Sequence, residues 1–196
     1  MLLLGGCYSF STLGRARIVE PRHAEVFAAP AVLVTTAGSG ALVKPVGDLG
    51  VRYGLSERVE LDARVTTAGL SAGPRLQLQR SSRFDALIAP ALAFTWPDKL
   101  ALELPLVLGW NVRQADQIVV APRVVYQARL GVPEVDHPVS FVLVGVSFGY
   151  AWQLSPRLTL FPELAFLTQA YAEPGFSSFV GGGLGMQGSV GVLLDW

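Results

Sequence analysis

The last sixteen residues of the chain, 181–196, alternate between large apolar side chains and small or polar ones. The large apolar side chains occupy even positions, namely Leu184, Met186, Val190, Val192, Leu194 and Trp196. Most odd positions carry glycine, glutamine, serine or aspartate. Because successive side chains of a β-strand point to opposite faces, this period of two predicts a strand with one apolar face.

The same alternation recurs upstream, between clusters of glycine, proline, serine and aspartate that predict turns. Within residues 100–110, for example, every even position is leucine until Trp110. We predict strands over residues 24–36, 41–54, 58–68, 72–80, 83–96, 99–112, 116–130, 139–154, 157–171 and 178–196. Ten is an even number, as bacterial single-chain barrels require, and eight and twelve remain as alternatives.

These segments favour an all-β fold, an antiparallel up-and-down transmembrane β-barrel over residues 23–196. Most of them exceed the roughly 9–11 residues that a tilted strand needs to cross a bilayer. A strand that alternates and then ends on an aromatic residue resembles the terminal strand of bacterial outer-membrane β-barrels. The resemblance implies a monomer in the bacterial outer membrane that contacts lipid and is inserted by the barrel-assembly machinery through its C-terminal strand.

Two other folds were weighed against this one. The uncharged runs 138–156 and 174–194 are long enough for membrane helices of about 20 residues, but their period of two favours strands. A soluble barrel or sandwich would turn the apolar faces inward, and the period alone does not distinguish it from a membrane barrel.

The tryptophans favour the membrane barrel. Trp110, Trp152 and Trp196 end predicted strands on one side, and Trp96 ends one on the other. Aromatic girdles at both interfaces are typical of such barrels. With both termini in the periplasm, the turns 55–58, 113–116 and 155–157 are periplasmic, and the loops 131–138 and 172–177 are extracellular.

Four of the predicted strands contain similar segments with a central proline, at 29–32, 89–92, 121–124 and 161–164. Proline removes a hydrogen bond from a strand ladder and normally marks a bulge or an edge. Since a closed barrel has no edge, we expect bulges at these positions.

Residues 50–61, GVRYGLSERVEL, resemble the hairpin YGL-(S/T)-(D/E)-R-(V/L)-E-L of outer-membrane transporters grouped as the MetA-pathway phenol-degradation family. Residues 154–160 are a looser copy of the same turn. The resemblance implies an outer-membrane barrel and a route for hydrophobic compounds. The family has no catalytic motif to carry over.

The first seven residues, MLLLGGC, look like the end of a bacterial lipoprotein signal, which predicts a lipid on Cys7. The usual basic segment before the apolar run is missing. An ordinary apolar start with a free cysteine is therefore the alternative. We interpret residues 1–22 as a truncated signal and a polar tether on the periplasmic side, carrying Arg15, Arg17 and Arg22.

If the apolar faces meet lipid, the opposite faces place charged side chains in the lumen. The predicted lumen residues are Asp48, Arg52, Glu60, Asp62, Arg64, Arg75, Asp85, Glu103, Arg123, Arg129 and Glu163. A barrel of about ten strands is narrow, and charges inside it are costly unless they are paired. Two functions follow from this: a passive transporter or narrow pore for small hydrophobic solutes, and a closed, salt-bridge-filled barrel with a structural or surface-interaction role.

Other functions find little support in the sequence. A formal net charge of zero offers no basic surface for nucleic acid. One cysteine and two histidines give no pattern for a metal site or a disulfide, and no cofactor is expected.

An outer-membrane lipid-modifying enzyme is a remote alternative, because a serine nucleophile needs a histidine within hydrogen-bond reach. His23 lies in the predicted tether. His137, beside Asp136 in a loop, could serve with Ser140 or Ser177. Because adjacent residues point apart, we expect no enzyme.

Overall fold

The computed structural model describes residues 11–12, 14–37, 40–113, 116–130, 138–173 and 184–196. The strands are β1 (Ala24–Ala37), β2 (Gly40–Gly54), β3 (Val59–Thr66), β4 (Gly69–Arg80), β5 (Phe84–Ile88), β6 (Ala91–Thr95), β7 (Lys99–Asn111), β8 (Gln117–Arg129), β9 (Val139–Ser155), β10 (Leu158–Ala172) and β11 (Leu184–Asp195). In these parts of the chain, no helix is long and apolar enough to span a bilayer.

The strands form one closed antiparallel sheet. Each strand pairs with its neighbours in chain order, and β1 closes the sheet by pairing with β11, from Glu25 opposite Asp195 to Thr35 opposite Gly185. Strands β5 and β6 share one place in the wall, between β4 and β7, so ten segments cross the barrel. The predicted ten-stranded up-and-down barrel is confirmed.

Proline interrupts the pairing without shifting its register. Ala89 and Pro90 divide the predicted strand 83–96 into β5 and β6. Backbone pairing is interrupted at Pro30 in the ladder between β1 and β11, and at Pro162 in the ladder between β9 and β10. The register is the same on both sides of each gap. The predicted bulges at these prolines are therefore wrong, because the lost N–H group removes a hydrogen bond without inserting a residue.

The register shifts of the wall lie elsewhere. They occur between Leu158 and Thr159 at the start of β10, between Gln169 and Tyr171 near its end, and between Gln77 and Gln79 of β4.

The exterior of the barrel is apolar. On β7, Leu100, Leu102 and Leu104 are each close to half exposed, whereas Ala101 and Glu103 between them are buried. A soluble barrel would bury the leucines, so the soluble alternative is wrong. An apolar band of this kind suits the hydrocarbon of a bilayer.

Residues 20–24 and the C-terminal residues 195–196 meet at one end of the barrel, called the terminal end below. There the N–H group of Arg22 donates to the carbonyl of Gly54 at 2.8 Å, and that of Asp195 donates to the carbonyl of Arg157 at 2.9 Å. The turn 55–58 and the turn 155–157 lie at this end. The opposite end, called the loop end, carries the turns between β3 and β4 and between β6 and β7.

Apolar side chains also pack inside the barrel, which the sequence did not predict. The terminal-end cluster contains Ala16, Ile18, Phe27, Ala29, Leu87, Val107, Val119, Ala121, Ala151, Phe161 and Leu193. The loop-end cluster contains Leu33, Ala93, Ala101, Val125, Leu143, Ala165 and Leu167, with Val46 packed against them.

Candidate functional site: a lumen occupied by the N-terminal segment

Residues 11–12 and 14–20, called the strap below, run inside the barrel. Ser11, Thr12, Ala16 and Ile18 are buried, while Glu20 is exposed at the terminal end. The sequence had placed these residues in a polar tether on the periplasmic side, because they follow the lipoprotein-like signal that ends at Cys7. In the structure their arginines have partners in the wall. The first ten residues, including Cys7, lie outside the described residues.

The wall accepts hydrogen bonds from the backbone of the strap. The N–H group of Ala16 donates to Gln117 Oε1 at 2.7 Å. The N–H group of Ile18 donates to Gln77 Oε1 at 3.0 Å, and that of Val19 donates to Glu60 Oε2 at 2.5 Å. Side chains from β3, β4 and β8 thus replace the strand ladder that the strap lacks.

The wall also donates to the carbonyl groups of the strap. Arg64 Nη1 donates to the carbonyl of Ser11 at 2.9 Å, and Arg75 Nη2 donates to that of Arg15 at 2.7 Å. Gln77 Nε2 donates to the carbonyl of Ala16 at 2.9 Å, so this one amide bonds both sides of the strap backbone. Buried backbone groups are costly unless they are paired, and these bonds pair them.

Glu163 of β10 holds the innermost described end of the strap. Its carboxylate accepts hydrogen bonds from the Ser11 hydroxyl, from the N–H group of Thr12 at 2.9 Å and from the Thr12 hydroxyl at 2.5 Å. The Thr12 hydroxyl also lies 2.7 Å from that of Ser147 on β9. Because Glu163 and Ser147 lie well inside their strands, the strap reaches deep into the lumen.

The two arginines of the strap neutralise carboxylates of the wall. Arg15 Nη2 lies 2.9 Å from Asp195 Oδ2 and 3.3 Å from Glu25 Oε2. Arg17 Nη2 lies 3.0 Å from Asp85 Oδ2, whose side chain is fully buried. A buried charge that loses its partner is strongly destabilising, so these pairs fix the strap in the lumen.

A second layer of ion pairs lies within the wall itself. Arg52 bonds Glu25 at 2.5 Å and Asp62 at 2.8 Å, and its guanidinium lies 4.5 Å from the centre of the Phe27 ring. Arg64 lies 3.4 Å from Asp62. These contacts hold Arg52 almost completely buried beneath the strap.

Gly14 is the point of closest approach between the strap and this layer. A Cβ atom at Gly14 would lie 2.4 Å from Nη1 and 2.8 Å from Cζ of Arg52. Gly14 also has a φ of +141°, which side chains of L-residues rarely adopt. The strap therefore needs glycine at this position.

The structure brings seven of the eleven predicted lumen residues to the strap or to the ion pairs beneath it. They are Arg52, Glu60, Asp62, Arg64, Arg75, Asp85 and Glu163. Asp48, Glu103 and Arg123 are buried away from the described strap contacts. Arg129 pairs with Asp98 at 2.9 Å towards the loop end.

Among the residues of this site that sequence reasoning missed are the charged and amide side chains of Arg15, Arg17, Glu25, Gln117 and Asp195. Alternation could have found Glu25, because it shares the inward face of β1 with Phe27 and Ala29. It could not have found the arginines, because the strap has no period of its own.

The four tryptophans are all exposed on the barrel exterior. Trp110, Trp152 and Trp196 lie towards the terminal end, and Trp96 lies at the loop end. Trp110 contacts Phe84 with ring centroids 5.4 Å apart, and Trp96 contacts Phe94 at 4.8 Å.

The residues considered for nucleophilic catalysis are not brought together in the described part of the chain. The Ser140 hydroxyl lies 2.8 Å from that of Tyr126, and His23 Nδ1 lies 3.2 Å from the carbonyl of Pro21 at the terminal end. Asp136, His137 and Ser177 lie outside the described residues.

Comparisons with known proteins identify the fold. No family model matches the chain, and no curated protein sequence matches it. An outer membrane channel from Pseudomonas putida F1 is similar in structure, with a TM-score of 0.56 and 9% identity over 95% of this chain and 100% of that one. Neisserial surface protein A is less similar, with a TM-score of 0.48 and 10% identity over 87% and 96% of the two chains. The chain has the fold of bacterial outer-membrane β-barrels, and its apolar exterior is the lipid-facing surface of such a protein.

Proposed function

We propose that the protein is an outer-membrane barrel that is closed at rest, with a structural or surface-interaction role rather than that of an open aqueous pore. The strap carries this proposal. Its backbone N–H groups donate hydrogen bonds to wall side chains, and its carbonyl groups accept hydrogen bonds from them. Its arginines pair with carboxylates of the wall. The polar half of the lumen, which would otherwise hold water, is thereby occupied by the chain itself.

The loop-end cluster supplies a second barrier. Leu33, Val125 and Leu143 point inward and are almost completely buried. Hydrophobic constrictions exclude water and thus block ions, even where the backbone leaves space. An ion would have to pass both the strap and this cluster.

Planar-bilayer recordings test the proposal. The unmodified protein is expected to give no stable current steps. In Arg15→Glu/Arg17→Glu, the new carboxylates are repelled by Glu25, Asp195 and Asp85, which attract the native arginines. This variant should release the strap. Because the loop-end cluster stays in place, this variant should also be silent.

Current steps are expected only when both barriers are removed, by adding Leu33→Ser/Leu143→Ser to the double reversal. Heat-modifiable gel mobility verifies that each variant is a folded barrel. Arg22→Glu/Arg58→Glu, which makes the same charge change at exposed residues of the terminal end, is the matched control. Steady conductance in the unmodified protein, or silence in the folded fourfold variant, would contradict a lumen closed by these two barriers.

Passage of small apolar solutes is a second candidate function. The MetA-pathway resemblance of residues 50–61 and the loop-end cluster favour it. So does a groove of about 710 Å³ on the lipid-facing side, lined by residues that include Phe148, Leu164 and Gly188. Uptake of an aromatic solute by cells that make a protein silent in bilayers would support this candidate over a purely structural role.

A further inference from the structure

The wall recognises the strap mainly through its backbone. In the described residues, N–H groups of four strap residues donate to wall side chains, and carbonyl groups of three accept from them. The strap belongs to none of the strand ladders of the barrel. None of these contacts is covalent. A peptide of suitable sequence could therefore make them without being joined through residues 21–23 to β1.

We propose that the terminal-end half of the lumen is a peptide-binding site, which accepts the unfolded terminal segment of another polypeptide when the protein's own strap is out. The proposal rests on the strap-filled lumen described under Proposed function, and the wall groups that bind the strap are called the seat below. The ligand is a flexible peptide, and a second copy of this chain or a different protein can supply it.

The seat defines the side chains that the peptide must carry. At the position of Gly14 only glycine avoids Arg52. At the position of Ala16 the side chain is fully enclosed and must be small, and at that of Ile18 it packs in the terminal-end cluster. The positions of Arg15 and Arg17 need cations opposite Asp195 and Asp85. The ligand class is therefore a peptide with the pattern Gly-Arg-small-Arg-apolar.

The seat opens at the terminal end. Glu20, Pro21 and Arg22 are exposed where the strap leaves the lumen, so a peptide can enter from that side. The strap itself competes at the high effective concentration that a short linkage gives, in the millimolar range. A separate peptide will therefore bind only to a barrel whose strap has been weakened.

The test uses the full chain with Arg15→Glu/Arg17→Glu as the receiver, because these changes leave the wall intact. The probe is a fluorescein-labelled peptide with the native sequence of residues 11–20, STLGRARIVE, and the readout is fluorescence anisotropy in detergent. Saturable binding is expected. A Gly14→Ala peptide should bind roughly a hundredfold more weakly or worse, because its Cβ atom would overlap Arg52 and its positive φ would be strained. A peptide with both arginines changed to glutamate should not bind.

Controls separate the outcomes. The Arg22→Glu/Arg58→Glu chain keeps its own strap and should not bind the peptide. A Gly14→Leu chain, with strap release verified by trypsin cleavage at Arg15, is a second receiver in case the reversed chain retains its strap. Absence of saturable binding to both receivers, or equal binding of a scrambled peptide, would overturn the proposal.

Two further readouts identify the source of the peptide and keep the proposals apart. The first readout mixes the reversed chain with a differently tagged copy that has the native strap but whose own wall repels it through Asp85→Arg/Asp195→Arg. Co-purification means that a second copy supplies the segment, and its absence beside retained peptide binding means that a different chain does. Anisotropy does not depend on conductance, so failure of the closed-barrel function appears in bilayers and failure of the peptide site in the binding curve.

Discussion

Replacement of Gly14 with alanine is expected to expel the strap from the lumen. The new Cβ atom would overlap the guanidinium of Arg52, which cannot move away because Glu25 and Asp62 hold it. Overpacking of a buried site costs about 1–3 kcal/mol, and the strongly positive φ of Gly14, a region that residues with a Cβ atom rarely populate, adds roughly 1–3 kcal/mol. The released population should rise by roughly a hundredfold or more.

Limited trypsin digestion of the folded barrel measures this release. Arg15 and Arg17 are protected while the strap is seated, and cleavage of a transiently opened segment follows its open population. Gly188→Ala is the matched control, since nothing lies within 4 Å of the position of its Cβ atom. Equal cleavage of the Gly14→Ala and Gly188→Ala proteins would contradict the tight fit of the strap against Arg52.

Replacement of Arg52 with alanine should destabilise the barrel by about 3–5 kcal/mol, because removal of one partner leaves buried charges uncompensated. Two carboxylates, those of Glu25 and Asp62, would lose this partner at once. The packing of the guanidinium on Phe27 would be lost as well.

Urea unfolding of the protein in lipid vesicles, followed by tryptophan fluorescence, measures the free energy of unfolding. Arg58→Ala is the control, because Arg58 is exposed in the turn between β2 and β3. We expect it to change the free energy of unfolding by less than about 1 kcal/mol. A similarly small effect of Arg52→Ala would mean that the buried ion pairs do not hold the lumen together.

Alternation alone predicted the wall of the barrel, because every strand has one face in lipid and one in the lumen. Residues 24–36 and 139–154 were predicted as strands and match β1 and β9 within one residue at each end. The same parity placed Glu60, Asp62 and Arg75 on the inward face, where the structure has them. The split at Pro90 could not be placed from the pattern, since the residues on both sides of it alternate in phase.

The strap could not be predicted, because nothing local in residues 11–20 distinguishes it from a solvated tether. Apart from Glu25, its partners lie far away along the chain, from Glu60 on β3 to Asp195 on β11. Only the closed barrel brings those side chains around one segment. The charges of the strap and the wall do match. Glu25 and Asp195 add carboxylates to the inward faces of the wall, and Arg15 and Arg17 of the strap supply the cations that pair with inward-facing carboxylates.

The position of the strap can be measured most directly by a disulfide between Thr12→Cys and Ser147→Cys, in a chain that also carries Cys7→Ser. The two hydroxyl oxygens lie 2.7 Å apart, and sulfur atoms in their places would be close to the roughly 2.05 Å of a disulfide bond. Oxidation of outer membranes that contain the folded protein should link the residues, as seen by mass spectrometry of the joined peptides and by altered mobility on non-reducing gels. Thr12→Cys/Ser155→Cys is the control, because Ser155 lies on the same strand but is exposed at the terminal end. A link to position 147 and not to position 155 is the predicted result; a folded barrel that forms no link to position 147 would contradict a lumen occupied by the strap.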